Sequence, residues 1–336
     1  MKVVCGHCRS QYQIDTSRMK NPFIKVRCMR CKYVFTVYNG STHQQAGELN
    51  AAVSDAGHEG NGGDRTASMA YQGPSTNGSC QVIAVSNQKG GVAKTTTCLN
   101  LGVSLAMMGK KVLLIDFDTQ ANLTLCLGYQ DTASFFDLLH HSADDTAALI
   151  LQTRYKNLWL LPSNQKLVLL DKKYFGAPHF ENILRDRLAL VAGDYDYVLI
   201  DTPPSVGFFT LNALTAAHVA VVPCLCEYLS THGTNQILDV IRMIKAKSNP
   251  DLEFRILVTQ YDGEDTAAQV IYAKLMERFD DRSFKTIIDY DVKMKEAQIM
   301  KLPAIIYDNN CPSGTGYAQL AREILNGTTV TTEANA

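Results

Sequence analysis

The chain has 336 residues, 46% of them hydrophobic and 19% charged, with a formal net charge of −1. These are the proportions of a soluble globular protein with room for one large α/β domain and a small companion. The overall balance says nothing about partners, and no apolar run reaches the roughly 18–20 residues needed to cross a bilayer.

In chain order, the first segment is residues 1–40. It holds eight Lys/Arg against one acid, Asp15, a formal +7. Cys5 and Cys8 form one C-x-x-C pair and Cys28 and Cys31 a second, 19 residues further on. Four thiolates on two tight turns suit tetrahedral Zn²⁺ better than disulfides in a chain with no export signal. Alternation around Ile24–Val26 and Tyr33–Val37 predicts short strands, and bound metal would supply the folding energy that so small a segment lacks. The segment resembles the zinc-ribbon modules at the N-termini of some bacterial proteins. A redox dithiol and an iron–sulfur site are the competing readings, and His7 reads as a solvent-facing bystander. With Zn²⁺ and four thiolates counted, +7 falls to about +5, a surface compatible with DNA, an acidic protein partner or solubility alone.

Residues 41–79 carry seven Gly among Ser, Thr, Asn, Gln and His, with few large apolar side chains. Such a composition cannot offset ordering entropy, so a flexible linker spanning roughly 30–35 Å is expected. From residue 80 to about 330 apolar runs alternate with amphipathic stretches, before a short disordered tail at 331–336. Strands are predicted at Val82–Asn87, Lys111–Asp116, Leu158–Leu161, Tyr197–Asp201, Val219–Pro223, Arg255–Thr259 and Thr286–Ile288. Helices are predicted at Thr95–Met108, Thr234–Ala246, Thr266–Phe279 and Tyr317–Leu325. Runs such as Val112-Leu113-Leu114-Ile115 are apolar on both pleat faces. The pattern implies a doubly wound α/β fold, with a mostly parallel sheet covered by helices on both faces.

Three strand ends carry the chemistry. After the first strand come Lys89, Gly90, Gly91, Val92, Ala93, Lys94, Thr95 and Thr96, then a helix. Glycines there let several N–H groups converge on one anion at a helix N-terminus, with Lys94 placed on phosphate charge and the Thr95 hydroxyl on Mg²⁺. The second strand ends in Asp116-Phe117-Asp118, two carboxylates on one pleat face at the carboxyl edge of the sheet. The strand Tyr197–Asp201 presents a further carboxylate, suited to Mg²⁺.

The loop departs from the usual P-loop pattern, with Ala93 in place of Gly and an additional lysine, Lys89, at its start. In this it resembles the ParA/MinD superfamily of deviant Walker ATPases. The D-x-D-x-Q-x-N run from Asp116 to Asn122 and the stretch Glu227-Tyr228-Leu229-Ser230 extend the likeness over roughly residues 81–326. The resemblance implies Mg²⁺-dependent ATP hydrolysis by a P-loop NTPase. In it Lys89 is a catalytic residue supplied across an ATP-sandwich homodimer, Asp118 positions the attacking water, and Asp116 braces the Mg²⁺ shell. It further implies non-specific DNA binding, a ParB-like or cargo-adaptor partner that stimulates slow hydrolysis, and a cytoplasmic, nucleoid-associated location in a bacterium. Arg242, Lys245, Lys247, Arg278, Arg282, Lys285, Lys293, Lys295 and Lys301 are candidates for the DNA face, and Gln260 and the Pro303–Asp308 stretch for adenine contact. Two other readings are a MinD/FlhG-like membrane-cycling regulator and a zinc-dependent adaptor with a regulatory ATPase. The first wants a basic amphipathic C-terminal helix, whereas this chain ends in a short polar tail, so no membrane is expected as a partner. Cys224 and Cys226, spaced C-x-C, read as core rather than as iron–sulfur ligands.

Overall fold

The computed structural model describes residues 2–4, 10–13, 23–31, 34–38, 80–139, 149–227 and 230–327. The segment 41–79, the tail 331–336 and the pair Cys5 and Cys8 lie outside them. Two units are described separately, divided near residue 70.

In the first unit, β1 (Lys2–Val4) pairs antiparallel with β2 (Gln11–Gln13), and β3 (Phe23–Arg27) pairs antiparallel with β4 (Val34–Tyr38). The last two are the strands that the alternation around Ile24 and Phe35 predicts. The Cys28–Cys31 turn leaves the end of β3.

The second unit runs β5 (Gln81–Val85), α1 (Lys94–Met107), β6 (Val112–Asp116), α2 (Asn122–Cys126), α3 (Phe135–Leu138), β7 (Leu151–Gln152) and β8 (Leu158–Leu161). It continues with α4 (Val168–Tyr174), α5 (Ile183–Leu188), β9 (Tyr197–Asp201), α6 (Phe208–Ala216), β10 (Val219–Cys224) and α7 (Ser230–Lys247). The last elements are β11 (Glu253–Tyr261), α8 (Thr266–Phe279), β12 (Ile288–Asp289), α9 (Val292–Ile299), α10 (Ala304–Tyr307) and α11 (Pro312–Gly327). The strands form one sheet in the order β12-β11-β10-β5-β9-β6-β8-β7, parallel throughout except for the β7–β8 edge pair. This is the doubly wound architecture that the sequence predicts.

Alternation along each strand explains the covering. Leu113, Ile115, Val198 and Ile200 enter one core with α6 and α7, while Val112, Leu114 and Leu199 enter the other with α1 and α11. Apolar side chains on both faces are what a sheet covered by two helical layers requires.

The position of β5 sets the site. The chain leaves β5, passes over β9 to form β6 and β8, and later returns on the other side of β5 as β10 and β11. The crevice at the carboxyl ends of β5, β6 and β9 is therefore the topological switch point, where open α/β sheets bind ligands.

Candidate active site

The loop after β5 is built to receive an anion. Asn87 anchors it, its Nδ2 donating to the Pro223 carbonyl (2.7 Å) and its Oδ1 accepting from the Lys89 amide (3.0 Å). Gly91 (φ 77) and Ala93 (φ 66) both adopt left-handed backbone, which glycine takes at little cost and alanine does not. Ala93 is the N-cap of α1 and offers no side-chain hydrogen bond, an arrangement that opens first-turn amides to a ligand. Strain of this kind, held by surrounding structure, marks functional loops. Val92 is buried against β11, with its carbonyl accepting from the Thr259 hydroxyl (3.3 Å). Gly90 has open space around it.

The predicted residues converge from separate strands. Asp116 and Asp201 lie opposite each other in the β6–β9 register, and Asp201 lies opposite Val85 at the root of the loop. Lys94 is mostly buried and folds back so that its Nζ donates to the Lys89 carbonyl (3.0 Å). Burial lowers its pKa, while the carboxylates of Asp201 and Asp118 pull it back up. Asp201 is fully buried, and neither of its oxygens has a hydrogen-bond partner at ordinary distance among the described residues. Burial drives its pKa well up, the neighbouring Asp116 adds to this, and the Thr95 hydroxyl opposes it. An orphaned carboxylate beside a hydroxyl at a sheet edge fits a hard divalent cation, which supplies the missing partner.

Asp116 is different. Its Oδ2 accepts from the Thr124 amide and hydroxyl (2.8 and 2.6 Å), and its Oδ1 from the Asp118 amide (3.2 Å). Burial raises its pKa to about 6, and the Thr124 bonds restrain the rise. Phe117, between the two acids, points into the core and packs edge-on to Phe135 and Phe209, with ring centroids 5.1 Å away in each case. Asp118 is buried at the site edge and accepts from the Gln120 amide (3.0 Å).

Lys89 leaves its own loop. Its Nζ pairs with Glu227 Oε2 at 2.7 Å, beyond the end of β10, and the Glu227 side chain is 62% exposed. Gly233 of α7 lies beside the lysine stem, where an added Cβ would sit 3.1 Å from Lys89 Cβ. Thr96 Oγ1 accepts from Gln298 Nε2 (3.0 Å), which ties α1 to α9.

Beside the loop is a small hollow lined by Ala93, Thr96, Gln260, Tyr290, Met294 and Ser313, among others. Gln260, a candidate for adenine contact, lines this hollow and donates to the Gly91 carbonyl (3.0 Å). The other candidate stretch for adenine contact, Pro303–Asp308, is not among the residues that line this hollow. Sequence reasoning passed over Thr124, Ser163, Gln298 and the Lys89–Glu227 pair. Glu227 lies inside a motif run, Thr124 two residues past the end of another, and Ser163 just past the end of β8 on the same edge of the sheet.

In the first unit, the Cys31 amide donates to Cys28 Sγ (3.4 Å), and the Tyr12 hydroxyl lies 3.0 Å from the same sulfur. An amide aimed at the preceding cysteine of a C-x-x-C turn suits a metal-bound thiolate. Cys224 and Cys226 are buried at the end of β10, and burial raises both thiols, Cys226 to about 12, as expected of core residues. Of the nine basic candidates for a DNA face, Arg242, Lys245, Arg282, Lys285 and Lys293 pair with carboxylates of their own surface. Exposed pairs of this kind are worth little and exchange readily for phosphate.

Comparison with known proteins gives the same assignment. Residues 80–254 match the model of the AAA-domain family, and residues 1–37 match that of a zinc-ribbon domain. The sporulation initiation inhibitor protein Soj of Bacillus subtilis is 36% identical over 248 residues, covering 73% of this chain and 98% of its own. The chromosome partitioning protein ParA of Caulobacter vibrioides is 34% identical over 251 residues, covering 73% of this chain and 94% of its own. Among solved structures, cobyrinic acid a,c-diamide synthase from Mycobacterium smegmatis with bound ADP and magnesium is 32% identical with a TM-score of 0.64, over 74% of this chain and 94% of that one. From the loop geometry and these relatives together, the chain belongs to the ParA/Soj family of P-loop ATPases and carries an N-terminal zinc-ribbon domain.

Proposed function

We propose that this ATPase is a positioning device: it binds Mg²⁺-ATP, dimerises, holds DNA non-specifically, and lets go when a partner stimulates slow hydrolysis. The observation that carries this reading is the orphaned Asp201 carboxylate beside Thr95, at the mouth of a loop whose Lys89 ion-pairs with Glu227. The ion pair of Lys89 with a largely exposed glutamate supports a role toward a second copy's phosphates, as the resemblance implies. Mg²⁺-ATP, when bound, supplies the electrophilic phosphorus and the charge to be neutralised. Lys94 and the amides of Gly90 to Thr96 hold the phosphates, Asp201 and the Thr95 hydroxyl hold the metal shell, and Asp118 orients the attacking water. Asp116 acts at one remove, because its oxygens are taken up by Thr124 and the Asp118 amide. The relative from Caulobacter vibrioides is a chromosome partitioning protein, which supports partition as the task.

Cys5, Cys8, Cys28 and Cys31 are proposed to hold Zn²⁺ in a module that meets either DNA or the stimulating partner, a ParB-like protein or cargo adaptor. No described helix is long and apolar enough to cross a membrane. The apolar face of α11 (Tyr317, Leu320, Ala321 and Ile324) is buried in the core with α1, which leaves it unavailable to lie on lipid. The burial of the α11 apolar face counts against membrane cycling through that helix.

DNA binding by the full chain and by a form lacking residues 1–79, with and without ATP across a salt series, tests the proposal. The truncated form should bind only with ATP and lose affinity steeply as salt rises. Binding that ignores nucleotide, or that disappears with residues 1–79, would remove the DNA face from the ATPase domain.

A further inference from the structure

Ser163 follows β8 and Pro162, 45 residues from Asp118 in sequence. Its hydroxyl is buried and donates to the Asp118 backbone carbonyl at 2.5 Å. Its amide donates to Thr124 Oγ1 (2.9 Å), which in turn donates to Asp116 Oδ2 (2.6 Å). The segment between the two acids and α2 is thereby gripped from both ends. Asp116 holds the Asp118 and Thr124 amides, and Ser163 holds the Asp118 carbonyl and the Thr124 hydroxyl.

The grip has something to oppose. Ala121, in the same turn, has left-handed backbone (φ 53) and is the N-cap of α2 without a side-chain bond. A non-glycine residue there costs about 1 kcal/mol or more and persists only where neighbouring contacts hold it. The Asp118 carbonyl already accepts from the Ala121 amide (2.9 Å), so the Ser163 hydroxyl is its second donor and comes from the segment that follows β8. Ser163 touches neither the phosphate loop nor Asp201 through any hydrogen bond described.

We infer that Ser163 is a positioning residue for hydrolysis, whose hydroxyl fixes the Asp118 backbone and so sets where the Asp118 carboxylate points, without contributing to nucleotide affinity. The inference rests on the reading of Asp118 as the residue that orients the attacking water.

The test uses the full chain, with steady-state turnover and the affinity for a non-hydrolysable ATP analogue measured in parallel. Ser163→Ala should lower kcat roughly three- to tenfold, the worth of one buried hydrogen bond, while analogue affinity stays within about twofold. Ser163→Thr, which keeps the hydroxyl, should retain more of the wild-type kcat than Ser163→Ala. Unchanged kcat in Ser163→Ala would overturn the inference. So would analogue affinity falling in step with kcat, since that would make Ser163 a brace for binding. Asp118→Ala separates the two claims: full turnover in that variant removes the reading beneath, whereas lost turnover there with normal turnover in Ser163→Ala removes the positioning role alone.

Discussion

Lys94→Ala is expected to weaken ATP binding by at least about thirtyfold, since truncating one partner of a buried charge pair costs roughly 2–5 kcal/mol. The surroundings make the loss severe. Asp116, Asp118 and Asp201 crowd the end of the sheet, and Lys94 is the buried cation whose charge interacts with two of them. Without it, an incoming polyphosphate meets carboxylates with no neutralising group inside the site. Its ammonium bonds to the Lys89 carbonyl, so the loop also loses a tie across its own mouth. A titration with a fluorescent ATP analogue measures the effect, and affinity within threefold of wild type would refute the phosphate role of Lys94.

Asp201→Asn should act in opposite directions on stability and on turnover. The carboxylate is fully buried without a hydrogen-bond partner at ordinary distance among the described residues, and burial holds its pKa well above the usual range. The folded state therefore binds more protons than the unfolded state, so stability falls as pH rises from the unfolded value near 4 through the raised folded value. Asparagine removes that loss. The nucleotide-free variant should be more stable than wild type by about 1–3 kcal/mol near neutral pH, or several degrees in Tm. The two should converge near pH 4, and the Asp116 contribution, with its pKa near 6, should persist in both. Turnover should fall by about a hundredfold or more, because the neutral amide is a poorer ligand for Mg²⁺. Thermal melts across pH, paired with activity, check both halves. A variant less stable than wild type at neutral pH would contradict the account of the buried charge.

Much of the fold is legible in sequence because the strands are apolar on both faces and end in polar motifs. Helix α8 is recovered at its true ends, Thr266 and Phe279, because it is amphipathic and Asp265 caps it through the Ala267 amide. Helix α6 is not, since eight of its nine residues are buried and no polar stripe reveals a helical period. The edge strand β7 has only two residues and carries no pattern of its own. At the site, Lys94, Asp116, Asp118 and Asp201 are legible from local runs. The partners that determine their state are not. The Ser163 bond spans 45 residues and the Lys89–Glu227 pair spans 138, distances that only the strand order closes.

Lys89 carries the central claim, and its structural neighbours are Glu227 and Gly233. The most direct test is the mass of the wild-type protein and of Lys89→Ala by analytical ultracentrifugation, with ATP, ADP or no nucleotide, with turnover measured alongside. The wild type should double in mass with Mg²⁺-ATP alone. Lys89→Ala should bind ATP, remain a monomer, and lose turnover by about a hundredfold or more, as expected when a cationic finger is removed. A Lys89→Ala protein that dimerises and hydrolyses ATP like the wild type would contradict the account.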